Sequence, residues 1–254
     1  MTLRDRQRSQ NGARALGTAP LAARPPGAFL SRLVTLDAQA TLLKLRPRQR
    51  ILLAAAHDDL LFAVQSGVVA TRAAMAGSET GVITLFFPGD VISAGSIPCF
   101  SERTIIAATA SDVLRFKSKS LIRLLADDED LLAAYDRQRD RQMARSAIHA
   151  AGLATLEGSQ RLAAFLIEMA LEVGVPMGTS IAIELPLTRT EIAQHLALNA
   201  DTLSRMMSRF KANNLVSQRG RHHIALKNWR ALADMCPLTP ALIAVERNRP
   251  SPLS

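Results

Sequence analysis

Residues 187–214, LTRTEIAQHLALNADTLSRMMSRFKANN, constrain the fold more than any other stretch of the 254-residue chain. Two short segments of helical period flank a three-residue turn. Thr188-Arg189-Thr190-Glu191 reads as a capping box, with Thr188 as the cap and Glu191 reaching back to its backbone amide. A first helix is expected over 189–196, with Ile192, Ala193 and Leu196 facing inward. Ala197-Leu198-Asn199 supplies the turn, and Asn199 is a good N-cap for a second helix over 200–213. In that helix Leu203, Met206 or Met207, and Phe210 make an inner stripe. Asp201, Ser204 and Arg205 fall at i, i+3 and i+4 on the opposite side, in its first two turns. Residues 216–226 then read as two strands around Gly220, a winged-helix ribbon with Arg219 and Arg221 at its tip.

This is the spacing of a winged helix-turn-helix that enters the major groove of DNA. In such a helix the N-terminal residues reach base edges. Arginine bonds guanine bidentately, serine serves as donor or acceptor, and a carboxylate accepts from a cytosine amine. Arg205, Ser204 and Asp201 are therefore the expected base readers. Thr188, Thr190, Thr202, Ser208, Arg209, Lys211, Arg219 and Arg221 are expected on the phosphate backbone. The charge distribution agrees. Residues 1–50 carry +8 and residues 186–254 carry +6, out of a formal total of +9, so the middle of the chain is neutral to acidic. A basic C-terminal domain is what release of counterions from a phosphate backbone requires.

Upstream, short apolar stretches separated by turn signals suggest strands at 40–45, 61–64, 67–71, 81–87, 105–110 and 112–116, with Pro88-Gly89-Asp90 as a turn. That spacing suggests an antiparallel sandwich or barrel, here a β-roll. Residues 120–126 read as a short helix. Asp127-Asp128-Glu129-Asp130 then suits the start of a long helix running to about residue 156. Along it Leu131, Ala134, Tyr135, Gln138, Gln142, Arg145, Ile148, Gly152 and Leu153 approximate a seven-residue seam. So long a helix needs a partner face, which we read as dimerisation; the alternative is a helix packed on its own β-roll. A further helix is expected over 159–173, a loop over 174–180, a strand over 181–185 and a last helix over 229–235.

The organisation so derived is α+β: a basic disordered tail over 1–28, a β-roll sensor-like domain over 29–125, a dimerisation helix over 126–156, a winged helix-turn-helix over 157–236, and a flexible tail over 237–254. No run approaches the roughly 20 apolar residues of a membrane span, and a cytoplasmic setting without membrane contact is expected. Cys99 and Cys236 make no disulfide framework and cannot hold a metal or cluster unaided. No nucleophile–base–carboxylate set, phosphate-cradling loop or metal spacing is visible, so no catalytic site is expected.

These residues resemble the Crp/Fnr superfamily of bacterial transcription regulators over about residues 30–236. The likeness rests on Leu187-Thr188-Arg189-Thr190-Glu191-Ile192-Ala193, on Leu198-Asn199-Ala200-Asp201-Thr202-Leu203-Ser204-Arg205, and on Phe87-Pro88-Gly89-Asp90. It implies a cyclic-nucleotide-binding-like β-roll and a homodimer on a pseudo-palindromic site. An activator would also contact RNA polymerase. The Fnr/FixK branch is the most similar, which implies a TTGAT-type half-site read by a Glu-x-x-Ser-Arg set. Here Asp201 replaces the Glu, while Ser204 and Arg205 match.

The sensing half departs from the family's patterns. Nucleotide-binding members carry an acidic pair that Ser93-Ala94 replaces here, although Arg103-Thr104 keeps the second half of that site. Cyclic AMP is therefore not expected. Oxygen-sensing members hold an iron–sulfur cluster on N-terminal cysteines; no cysteine precedes Cys99, so no cluster is expected. Cys99 is a candidate redox thiol, against its reading as a small structural hydrophobe. His149 is a candidate haem ligand, against the commoner reading of a lone polar histidine. The rival to the DNA-binding reading is a ligand-binding sensor whose helix-turn-helix mediates protein contacts.

Overall fold

The computed structural model describes residues 40–53, 57–73, 81–97, 103–220 and 222–247. The expected basic tail over 1–28, Cys99 and Arg221 lie outside them. The described residues fall into two compact units, one of residues 40–146 with 190–197, the other of residues 147–189 with 198–247.

The first unit opens with eight strands: β1 (Thr41–Leu45), β2 (Arg50–Leu52), β3 (Leu60–Ser66), β4 (Val69–Ala73), β5 (Gly81–Phe86), β6 (Val91–Ser93), β7 (Thr104–Ala107) and β8 (Ser111–Lys117). They pair antiparallel into two sheets, ordered β1-β8-β3-β6 and β2-β7-β4-β5. The sheets face each other across a core that includes Leu45, Phe62, Val64, Val69, Phe86, Ile92, Ile105 and Val113. On β3 the neighbouring residues Leu61 and Ala63 instead join Leu114 and Phe116 in a second apolar layer. Both faces of β3 are thus covered, which is why LLFAV reads as a continuous apolar run. All six expected strands are present. β2 and β6 went unpredicted because three residues are too few to display a period.

Helices α1 (Ser118–Asp127) and α2 (Glu129–Thr155) follow. Asp128 caps the start of α2, its carboxylate accepting from the backbone N–H of Leu131 at 2.9 Å. The expected α2 seam is largely used within the chain. Leu131 and Ala134 are buried in the second apolar layer with Leu61, Leu114, Phe116 and Leu121 of α1. The polar middle of the seam closes over the Phe87–Asp90 turn. Gln138 donates to Asp90 at 2.8 Å, and Arg145 forms an ion pair with the same carboxylate while lying 4.9 Å above the Phe87 ring. Gln142 both donates to and accepts from the backbone of Val91. Gly89 sits in this turn at φ +104°, and a Cβ there would come within 3.3 Å of the Gln138 amide, so the turn favours glycine on two counts. The alternative kept open above, a helix packed on its own β-roll, describes these seam residues.

The second unit contains α3 (Gly158–Val173), β9 (Val175–Met177) and β10 (Ser180–Glu184). Helix α4 (Arg189–His195) leads to α5 (Ala200–Ala212), then β11 (Val216–Arg219), β12 (His223–Leu226), α6 (Trp229–Met235) and α7 (Thr239–Arg247). The four strands form one antiparallel sheet, ordered β11-β12-β10-β9. Buried Leu162, Phe165, Leu166, Ile167, Met169 and Ala170 make α3 the centre of this unit.

Two expectations are corrected here. The stretch 174–180, expected as a loop, contains edge strand β9, again only three residues long. The C-terminal segment 237–254, expected to be a flexible tail, carries α7 over Thr239–Arg247, with Thr239 and Leu242 buried. Pro240 at the second helical position and the threonine hydroxyl, which donates to the Ala233 carbonyl at 2.9 Å, start that helix. A tail rich in proline concealed a nine-residue amphipathic helix.

Candidate nucleic-acid interface

Helix α5 begins as the sequence requires. Asn199 takes an extended backbone and its side chain accepts from the Asp201 N–H at 2.8 Å, so one of the free amides at the helix start is satisfied. Ala197, at φ +49°, makes the turn before it. The helix ends with Asn214 in the left-handed region at φ +54° and the Leu215 N–H returning to the Phe210 carbonyl at 2.9 Å, the bond of a Schellman motif.

One face of α5 is spent on packing. Leu203, Met206, Met207 and Phe210 are all buried. A Cβ on Gly158, at the start of α3, would meet Leu198 at 3.0 Å and Met206 at 3.5 Å, so that glycine permits the close approach of α3 to α5. The opposite face carries the expected base readers. Asp201 and Arg205 are exposed and Ser204 is half-buried, all three within the first two turns. The structure brings them onto one surface because 3.6 residues per turn align positions i, i+3 and i+4.

The expected backbone contacts are placed as follows. Thr202, Arg209 and Lys211 are exposed on α5, Thr188 is exposed just before α4, and Arg219 is exposed at the end of β11. Ser208 is exposed too, but its hydroxyl donates to the Ser204 carbonyl at 3.0 Å, so its proton is engaged by its own helix. Thr190 is exposed and belongs to the first unit. In that unit the Glu191 carboxylate, expected to cap α4, accepts two bonds from Arg48 at 2.7 and 2.9 Å and pairs with Arg72. Arg72 is held below the usual arginine value first by burial and then by the nearby charges of Arg48 and Arg50.

The wing is a true hairpin. β11 and β12 pair from Val216↔Leu226 to Arg219↔His223, with Gly220 at φ +67° in the turn. The His222 ring lies 3.2 Å from the Leu185 carbonyl, tying the turn of the wing to the residue after β10. One residue was missed by sequence reasoning. Arg189 donates to Gln218 of the wing at 3.0 Å and to Ser204 of α5 at 3.5 Å. Its partners lie 29 and 15 residues away, so no local spacing could disclose it.

In the β-roll, the Arg103 guanidinium donates to the Asp58 carboxylate at 2.6 Å and to the Ala94 carbonyl at 3.2 Å. No helix among the described residues is long and apolar enough to cross a membrane.

Residues 160–235 match the Crp-like helix-turn-helix domain model. The chain is 24% identical to the transcriptional regulatory protein btr of Bordetella pertussis over 62% of this chain and 66% of that protein. It is 23% identical to the nitrogen fixation regulation protein FixK of Rhizobium meliloti over 70% of this chain and 79% of that one. Among solved structures, FixK2 of Bradyrhizobium japonicum shares the fold, with a TM-score of 0.66 at 21% identity over 78% of this chain and 97% of that one. The matched domain and the relatives point the same way: residues 160–235 are similar to the Crp-like helix-turn-helix domain, and the longer chain is similar to bacterial transcription regulators such as btr and FixK.

Proposed function

We propose that this protein is a DNA-binding transcriptional regulator that acts as a homodimer on a pseudo-palindromic site, with the start of α5 in the major groove. The observation that carries this reading is the exposed Asp201–Ser204–Arg205 face of a helix capped by Asn199 and buried on its other side. Arg205 reads a guanine, Ser204 and Asp201 read adjacent bases, and the exposed threonines and cations around them hold phosphates. The relatives named as transcriptional regulators support the same role. The protein has no catalytic step to perform; its output is occupancy of a DNA site, with RNA polymerase as the further partner of an activator.

The second copy is supported by α2. With the first part of the expected seam turned inward, the outward side of α2 carries Leu132 and Met143 at 40% and 62% exposure, the last seam residue Leu153 at 37%, and exposed Ala147, Ala150 and Ala154. Positions 143, 147, 150 and 154 alternate by four and three, the spacing of a helix–helix seam, and alanines permit close approach.

Cyclic AMP and an iron–sulfur cluster are not part of this reading. The Arg103 guanidinium, which would serve a nucleotide phosphate, is engaged by Asp58, and two cysteines cannot ligate a cluster.

The test is binding of the full chain to duplexes enriched from a randomised library, followed across a salt series. DNA binding weakens steeply with salt, with a slope of about −0.9 per phosphate contact. Replacing Arg205 by Ala costs about 1–3 kcal/mol and relaxes one base position. Equal binding of specific and random duplexes by wild type and variant overturns the reading and favours a helix-turn-helix used for protein contacts.

A further inference from the structure

Arg189 opens α4, is exposed, and sits in the same unit as α5 and the wing. Its guanidinium forks: Nη2 donates to Gln218 Oε1 on β11 at 3.0 Å, and Nη1 donates to Ser204 Oγ on α5 at 3.5 Å. Resting on the DNA-reading face described above, we propose that Arg189 is a positioning residue that sets the specificity of Ser204, making its hydroxyl a hydrogen-bond donor to a base.

A serine hydroxyl carries one proton and two lone pairs and can serve a base either as donor or as acceptor. Left alone in a helix it also turns back to the carbonyl four residues earlier. Arg189 removes that ambivalence. A guanidinium only donates, so Ser204 meets it as acceptor, with the hydroxyl proton directed elsewhere. Among the described residues the Ser204 hydroxyl donates to no protein group. Its proton is therefore free for an acceptor on a base edge: N7 of a purine, O6 of guanine or O4 of thymine. Amino groups on cytosine and adenine, which need an acceptor, are disfavoured at that position. Gln218 anchors the other prong, so the wing and the reading helix share one rigid group.

Arginine is required for this. Lysine keeps the charge but presents a point donor on a flexible stem, without the planar fork that meets two acceptors at once. A guanidinium held by two neutral acceptors from its own domain is also directed away from service as a simple phosphate contact, and the two roles separate experimentally.

The experiment uses the full chain and a duplex enriched by the wild type from a randomised library, together with every single-base substitution of one half-site. Affinities are measured by fluorescence anisotropy over a potassium chloride series. Arg189→Lys is expected to relax discrimination about tenfold at one base pair, with the salt slope unchanged. Ser204→Ala is expected to relax that same base pair. Adding Arg189→Lys to Ser204→Ala is expected to change nothing further, since the two act through one contact. Gln218→Ala relaxes the same position by releasing the second prong, and Arg205→Ala relaxes a different one.

Because Arg189 is exposed, the thermal midpoint is expected to hold in Arg189→Lys. A uniform loss across all sequences with a shallower salt slope would make Arg189 a phosphate contact and overturn the proposal. Full additivity with Ser204→Ala overturns it as well. If Arg205→Ala relaxes its own base while Arg189→Lys leaves every position intact, the positioning role alone fails. If no sequence is enriched by the wild type, the DNA reading fails and this inference with it.

Discussion

The carboxylate of Asp90, in the turn after β5, and the guanidinium of Arg145, two-thirds along α2, form an ion pair with essentially no access to solvent. Asp90 also accepts from the Phe87 N–H at 2.8 Å and from the Gln138 amide at 2.8 Å, while Arg141 lies 4.0 Å away. One buried acid thus closes its own turn and fastens a helix to the β-roll. Its removal leaves two arginines in a dry site. Asp90→Ala is expected to cost about 3–5 kcal/mol in denaturant unfolding, the penalty of an unpaired buried charge. Arg145→Met is expected to cost less, because Gln138 and the turn amide still hold the carboxylate. Equal losses for the two variants would contradict this account.

The outward side of α2 gives a test of the dimer that spares this anchor. Met143 is 62% exposed, and Ala147 is exposed one turn later. Met143→Glu combined with Ala147→Glu is expected to halve the mass seen in sedimentation at micromolar concentration. The fold, followed by circular dichroism, is expected to persist, because neither side chain contributes to the buried layers. Operator affinity then falls, since one recognition helix replaces two. A wild type that sediments as a monomer at all concentrations contradicts the seam.

Much of this architecture was legible in the chain itself, and the exceptions have physical causes. The α5 face was readable because Asn199 caps it and Leu203, Met206, Met207 and Phe210 repeat at helical spacing. Strand β3 was readable from its apolar run alone. The α2 seam was found by its period, but period cannot say which molecule covers a face. Gln138, Gln142 and Arg145 look like a polar interface until Asp90 and the Val91 backbone, some fifty residues earlier, are seen beneath them. Arg189 was invisible for the same reason: its meaning lies in partners from two other elements. Strands β2, β6 and β9 were too short to declare themselves.

Helix α7 yields a stability test at a place where the sequence suggests none. Leu242 is 5% exposed and α7 packs against α3. Leu242→Ala is expected to lower stability by about 2–4 kcal/mol, counting both lost burial and the cavity left behind. Ala244, two residues further and exposed, gives a milder control when changed to serine. Urea unfolding of the full chain measures both; a neutral Leu242→Ala would mean that α7 is dispensable to the unit.

His149 gives the protein a pH dependence whose sign can be stated in advance. It lies half-buried on α2, and desolvation of the ring holds its pKa below the usual histidine value. The unfolded chain therefore takes up the proton more readily than the native one, and stability rises with pH wherever this difference operates. The contribution is complete above the unfolded value of about 6.5 and is lost as pH falls from there toward the depressed native value. Carboxylates add their own losses in acid, so the informative quantity is the difference between wild type and His149→Gln. A glutamine keeps the size and polarity of the ring without its proton equilibrium. Between about pH 8 and about pH 5.5, denaturant midpoints of the wild type are expected to fall more than those of the variant. Parallel curves would show that the histidine titrates alike in both states, and a shallower wild-type curve would reverse the assigned direction.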